Sequence, residues 1–190
     1  YFPGCVCEHR GHLVLSGFAD LKDSRAASQI RIAGSEFDIT DTTRLMNFDE
    51  EVRTEDPEKV LAMASTGYGL YLFKKNSIHV MPGSDFVNFT DVSKFQISQT
   101  HGLCGPMAFC HGKLGIHFMD SFGCHVIPSS NPTAVISTSE PVSEIWSSRA
   151  RGSNWFLPMA SRGLLDRATM AYDREREQVF ICFKMTGIST

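Results

Sequence analysis

The clearest structural pattern in this sequence is found in LYLFKKNSIHVM, residues 70–81, and in MAFCHGKLGIHFMDSFGCHVI, residues 107–127. Apolar segments there run into short polar turns and continue as apolar-His-apolar triplets, which is typical of antiparallel hairpins. Because the same order of segments recurs, it predicts one hairpin design used several times. The turns lie at Lys75-Asn76, Gly112-Lys113 and Ser121–Gly123, and the central histidines are His79, His117 and His125.

Strand patterns continue on both sides of these segments. Residues 12–17 and 29–34 read as β-strands, and Phe95–Ser98 and residues 134–137 read as two more. The last hairpin is predicted near the end of the sequence, with a charged turn at residues 173–177 between strands at residues 170–172 and 179–183. Since no strand alternates with a long helix, a parallel α/β sheet is disfavoured.

The spacing of these hairpins predicts an all-β fold. Strand pairs recur near residues 12, 70, 107 and 170, at a mean spacing compatible with the roughly 40 to 50 residues of a propeller blade. We therefore expect a β-propeller, whole or partial, with a β-sandwich as the alternative. Residues 1–190 would form a single all-β domain or a fragment of a larger propeller, because they supply material for only about four blades.

Composition indicates a folded chain and narrows the function classes. Apolar residues make up 42% of the 190 residues and charged residues 21%, which are ordinary globular values. The net charge of −3 and the lack of a basic stripe argue against nucleic-acid binding as the main activity. No apolar run approaches the roughly 20 residues of a membrane helix. The start at Tyr1 lacks the features of a signal peptide, so we expect a piece of a longer chain or a processed one.

The six cysteines are expected to be free thiols. Most of them, Cys110 and Cys182 especially, occupy apolar runs where a reduced cysteine behaves as a small buried hydrophobe. A zinc site is the sharper alternative, with Cys5-x-Cys7-x-His9 and His101-x-x-Cys104 as possible donors. Neither group has a partner pair at finger-like spacing, so we expect neither a metal nor another cofactor.

Further segments go with the two quoted above: LAMAS at residues 61–65, HGLCGPMAF at 101–109, VSEIW at 142–146 and AYDREREQVF at 171–180. Together, over roughly residues 60–185, they resemble the propeller-type structural proteins of tailed bacteriophage virions. The resemblance implies a component of the phage tail or of its attachment ring, made in the host cytoplasm and assembled into the virion. It implies no catalytic residues.

Catalysis is the alternative to this structural role. Possible catalytic groups are Asp120 beside Ser121, His101 with Cys104, and Cys110 with His111. Neighbouring residues on a strand point to opposite faces, so Cys110 and His111 are poorly placed to act together. The chain is therefore expected not to be an enzyme. The alternative is a glycan-binding or glycoside-hydrolysing propeller, in which two carboxylates on separate blades face a central channel. No pair of acids is singled out for this role, and Asp49, Asp85 and Asp120 all lie in predicted turns.

A binding role needs exposed anchors, and two parts of the sequence offer them. The first is the pair of tryptophans at 146 and 155 with neighbouring arginines, a combination that is enriched at protein interfaces. The second is the run of acids around Pro57, from Asn47 to Lys59, which predicts a solvated loop able to bind a basic partner or a cation. We expect both to contact other virion proteins in a homo- or hetero-oligomer, without membrane or sequence-specific nucleic-acid contacts. The predicted interface residues are Trp146, Arg149, Arg151, Trp155, Arg162, Asp49, Glu50 and Glu51.

Overall fold

The computed structural model describes residues 4–17, 29–32, 48–51, 58–83, 94–138 and 166–182. These residues contain fourteen β-strands and no helix, so the predicted all-β class is confirmed. Nowhere in these ranges is there a helix of the length and apolar character required to cross a membrane. The chain divides into two compact units, Tyr1–Gln99 and Thr100–Thr190.

Unit 1 contains two four-stranded antiparallel sheets, in each of which the strands follow one another in chain order. The first sheet consists of β1 (Cys5–His9), β2 (His12–Ser16), β3 (Gln29–Ile32) and β4 (Phe48–Glu51). The second sheet consists of β5 (Ala62–Ser65), β6 (Gly69–Phe73), β7 (Ile78–Pro82) and β8 (Phe95–Ser98). Within the unit, β1 packs against β5, so the first strands of the two sheets are neighbours.

Unit 2 repeats this plan with a third four-stranded sheet and a two-stranded hairpin. The sheet consists of β9 (Phe109–Gly112), β10 (Gly115–Met119), β11 (Cys124–Pro128) and β12 (Ile136–Ser137), and the hairpin of β13 (Thr169–Asp173) and β14 (Gln178–Cys182). Again the first strands are neighbours, because β9 packs against β13 and Met107 forms a parallel bridge with Thr169.

The hairpins predicted from the polar turns are confirmed. The turn between β6 and β7 is closed by Lys74 N–H donating to the Ser77 carbonyl at 2.9 Å. The turn between β10 and β11 is closed in the same way, by Asp120 N–H donating to the Gly123 carbonyl at 3.0 Å. Both turns begin at the residue directly after the second strand of their sheet, so the two sheets share one local design.

The core of unit 1 lies between its two sheets and consists of Val14, Ile30, Val60, Met63, Leu70, Leu72 and Met81. Strand β6 is buried at all five positions, although its side chains alternate between the two faces of the sheet. Leu70 and Leu72 face the shared core, and the opposite face, which carries Tyr71 and Phe73, is buried as well. The β5–β8 sheet is therefore covered on both faces along its central strand.

Two predictions from the sequence are wrong. The acidic segment was expected to form a loop, but Asp49, Glu50 and Glu51 lie in β4, which pairs with β3 at the edge of the first sheet. Backbone pairing overrides the weak strand preference of acidic residues, and charges on an edge strand discourage pairing with another chain. Most cysteines, Cys110 and Cys182 especially, were expected to be buried, but five of the six are partly exposed and Cys182 is exposed. All six cysteines are free, as predicted.

Candidate functional site

The candidate site lies in unit 2, where three polar side chains from separate parts of the chain meet. His101 stands in the connection that precedes β9, Asp120 opens the turn between β10 and β11, and His125 lies on β11. Register places these groups together, because His125 pairs with Phe118, two residues before Asp120. We name the set of His101, Asp120 and His125 the His-Asp-His cluster.

Asp120 is the centre of this cluster and is almost fully buried. Its Oδ1 accepts hydrogen bonds from the backbone N–H groups of Phe122 at 2.6 Å and Gly123 at 2.9 Å. Its Oδ2 lies 2.7 Å from Nδ1 of His101. An aspartate in this position fixes the turn through its own side chain, so the carboxylate is held in one orientation.

His125 is the least satisfied member of the cluster. Its side chain is 3% exposed, and Nε2 lies 2.9 Å from Oδ1 of Asp120. That contact is within ion-pair distance but lacks hydrogen-bond geometry, and neither ring nitrogen has a hydrogen-bond partner among the described residues. Aromatic rings enclose it, with the His101 ring centroid 4.3 Å away and the Phe118 ring centroid 5.2 Å away.

The surroundings keep the Asp120 carboxylate ionised. Burial alone raises the pKa of Asp120, but the close contacts of His125 and His101, the charge of His125 and the Phe122 N–H outweigh that effect. The pKa therefore lies below its ordinary value. A buried anion between two imidazoles and two backbone donors is electrostatically satisfied, which is the condition for tolerating a charge at this depth.

We expect the contribution of the Asp120 carboxylate to the free energy of unfolding to depend on pH. The pKa of Asp120 is lower in the folded state than in the unfolded state. Its contribution to stability is therefore complete above the unfolded-state pKa of about 4, and it is lost as the pH falls through the folded-state pKa. Urea unfolding of the wild type and of Asp120→Asn, each measured from pH 7 to pH 3, should therefore show a stability difference that shrinks below about pH 4. A difference that stays constant over this range would contradict the assignment.

The donor types in the cluster match those of metal centres. Among the described residues, the His-Asp-His cluster brings together three residues of the histidine, cysteine or acidic type. Their ligand atoms all lie within 4.8 Å of one another. Two thiols lie within electrostatic reach of Asp120. Burial, followed by the Asp120 charge, raises the pKa of Cys104 to about 12 and that of Cys124 to about 11, so both are protonated at neutral pH.

Three other histidines have different environments. His79 is buried and its Nε2 lies 3.3 Å from the Ser77 hydroxyl. His117 is half-buried and stacks on Tyr172, with ring centroids 6.4 Å apart, and burial lowers its pKa. His9 pairs through Nδ1 with the Ser65 hydroxyl at 2.8 Å. Cys5, Cys7 and His9 alternate along β1 and so share one face, but they form no metal-type cluster among the described residues.

The sequence predicted neither a site at these residues nor their association. His101 was considered with Cys104, Asp120 with Ser121, and His125 only as the centre of an apolar triplet. The Asp-x-x-Gly turn at 120–123, followed directly by Cys-His, was the available signal. Of the predicted interface residues, the acidic trio lies in β4, while Trp146, Arg149, Arg151, Trp155 and Arg162 lie outside the described residues.

Comparison with models of known protein families and with curated protein sequences finds no match. The proposals that follow therefore rest on the geometry of the described residues and on the patterns of the sequence.

Proposed function

We propose that this protein is a rigid β-propeller scaffold of a bacteriophage tail or tail-attachment assembly, acting through protein-protein contacts. The observation that carries the propeller assignment is the burial of both faces of the β5–β8 sheet along β6. In a two-sheet sandwich, the outer face of each sheet meets solvent and its residues are polar. An interior blade of a propeller is covered by a neighbouring blade on each side.

Three further features support blades over sandwich layers. Each four-stranded sheet is a meander in chain order, which is the form of a propeller blade. Neighbouring first strands, β1 with β5 and β9 with β13, are expected where blades converge on a central axis. In the β5–β8 sheet and in the β9–β12 sheet, a side chain that precedes the first strand of the sheet is hydrogen-bonded to the turn between the second and third strands. The two pairs are Glu58 with Asn76 and His101 with Asp120.

The state of Asp120 does not fit the general acid of the glycosidase alternative. A glycosidase requires two carboxylates that can reach the sugar, one of them free to exchange a proton. Both oxygens of Asp120 instead accept hydrogen bonds from the protein itself, and its lowered pKa is unsuited to a general acid. Of the other two acids considered, Asp49 lies in β4 and Asp85 lies outside the described residues.

Exposed apolar side chains in unit 2 support a role in protein contacts. Methionine and aromatic residues are enriched in the cores of protein interfaces, and exposed apolar side chains are available for such contacts. The largest such side chains in this unit are Met107, Leu114, Phe122, Ile136 and Phe180. The placement in a phage tail rests on the sequence resemblance over residues 60–185.

Electron microscopy tests the fold and the location separately. Class averages of the purified full-length protein should show a disc of radial blades around a central axis, whereas two stacked layers would contradict the propeller. Immunogold labelling of intact particles of the encoding phage should place the protein at the tail. Purified virions that lack it would contradict the structural role while leaving the propeller assignment intact.

We expect charge reversal in the predicted interface to impair assembly. Arg149→Glu with Arg151→Glu should reduce incorporation into particles by about tenfold or more, as loss of interface hot spots does. The matched control is Arg174→Glu with Arg176→Glu, two arginines at the same spacing in the exposed β13–β14 turn. Equal incorporation of both double variants, each folded by circular dichroism, would contradict the predicted interface.

A further inference from the structure

We propose that His101, Asp120 and His125 bind one divalent transition-metal ion, and that zinc is the best-matched metal. The inference is independent of the propeller and of the phage assignment, since it depends only on the geometry inside unit 2. Such an ion would join the connection before β9, the turn after β10 and strand β11 at one end of the sheet.

The spacing of the ligand atoms is close to that of a metal centre. Zinc binds histidine nitrogen and carboxylate oxygen at about 2.0 to 2.2 Å, so neighbouring ligand atoms in a tetrahedral site are about 3.3 Å apart. In the cluster, Asp120 Oδ2 lies 2.7 Å from His101 Nδ1, and Asp120 Oδ1 lies 2.9 Å from His125 Nε2. The three ligand atoms all lie within 4.8 Å of one another, so binding an ion requires the side chains to move together around it.

The unpaired imidazole of His125 is the second observation that indicates a ligand. A buried polar group without a hydrogen-bond partner costs free energy, and native proteins rarely leave one. His125 is 3% exposed, neither of its ring nitrogens is hydrogen-bonded among the described residues, and Nε2 lies 2.9 Å from Asp120 Oδ1. Coordination through Nε2 would satisfy this nitrogen without requiring a charged imidazole.

The surroundings of the cluster supply two further properties of a metal site. The backbone N–H groups of Phe122 and Gly123 hold the Asp120 carboxylate in place, as outer partners do for metal-binding carboxylates. The His101 side chain is 33% exposed, which gives an ion a path from solvent. Three protein ligands leave a fourth position for water or for the Cys104 thiol, three residues beyond His101.

The donor set selects the class of metal. Imidazole nitrogens suit zinc, copper, nickel and iron, whereas magnesium and calcium prefer all-oxygen sites. Two histidines and one carboxylate are a donor set that zinc accepts, and zinc has no geometric preference of its own.

Zinc titration of the chelator-stripped full-length protein tests the site. Competition with a chromophoric chelator should give one zinc per chain with a Kd of about 1 μM or tighter, and His101→Gln and His125→Gln should each weaken binding by about 10-fold or more. The matched control is His117→Gln, the same substitution at a half-buried histidine outside the cluster, which should change affinity by less than about 2-fold.

Cobalt substitution gives a second readout that does not depend on affinity. Cobalt bound to the wild type should show the strong visible absorption of tetrahedral coordination, with a sulfur-to-cobalt band only if Cys104 supplies the fourth ligand. His101 is partly exposed, so His101→Gln tests the site even if the buried His125→Gln variant does not fold. The proposal would be overturned if the wild type bound zinc no more tightly than folded His101→Gln, or if cobalt gave no such absorption. The cluster would then be only a hydrogen-bonded connection between its three segments.

Discussion

Replacing Gly115 by alanine is expected to destabilise unit 2 by roughly 3 kcal/mol or more. Gly115 begins β10 with a φ of +146°, a backbone conformation that residues with a Cβ rarely adopt. A Cβ there would also collide with the Ile127 carbonyl oxygen, which belongs to the paired strand β11 and cannot move without breaking the sheet. Conformational strain and a backbone collision therefore act together at this residue.

Two glycines of unit 1 provide graded controls for this experiment. Gly11 has a φ of +79° and open space where an alanine methyl would lie, so Gly11→Ala should cost only the conformational strain, about 1 to 2 kcal/mol. Gly67 has open space around it and no positive φ, so Gly67→Ala should be close to neutral. Urea unfolding followed by far-ultraviolet circular dichroism measures all three, and a Gly115→Ala variant as stable as Gly11→Ala would contradict the collision.

Replacing Asp120 by alanine should destabilise unit 2 by about 3 to 5 kcal/mol, the range found when one partner of a buried charged pair is removed. The substitution leaves the N–H groups of Phe122 and Gly123 and the ring of His101 without their acceptor. Asp120→Asn should cost less, since its side-chain oxygen can still accept from the turn. Chelator in the buffer separates this effect from metal binding.

Asp173 is the matched control for Asp120. Its Oδ1 accepts hydrogen bonds from the N–H groups of Glu175 and Arg176, so it fixes a turn in the same way. Its side chain is 29% exposed, however, and water can replace the lost acceptor. Asp173→Ala should therefore cost about 1 kcal/mol or less. Equal losses at the two aspartates would show that burial and the histidines add nothing at Asp120.

The proposed propeller scaffold and the proposed zinc site both concern how the sheets are held rigid. In the β5–β8 and β9–β12 sheets, a side chain in the segment before the first strand is hydrogen-bonded to the turn between the second and third strands. In the β5–β8 sheet this tie is Glu58 with Asn76, and in the β9–β12 sheet it is the His-Asp-His cluster. A bound metal would make the second tie stronger and dependent on metal supply.

The local structure followed from the sequence because turns are encoded by neighbouring residues. The polar pairs after apolar runs fixed the β6–β7, β9–β10 and β10–β11 hairpins, and the charged turn at residues 173–177 fixed the last one. The prediction for the acidic run at β4 was wrong because its strand state is imposed by pairing with β3, and no property of the run itself favours a strand.

The amino-acid sequence by itself determined that this chain is built of antiparallel hairpins, because alternating apolar residues and turn residues act over a few positions. Only the tertiary structure decided that His101, Asp120 and His125 meet, since they come from three separate segments brought together by strand register. It also decided that Asp120 is buried, which no single-residue preference predicts. Contacts between distant segments depend on how complete sheets pack, and that information is spread over the whole chain.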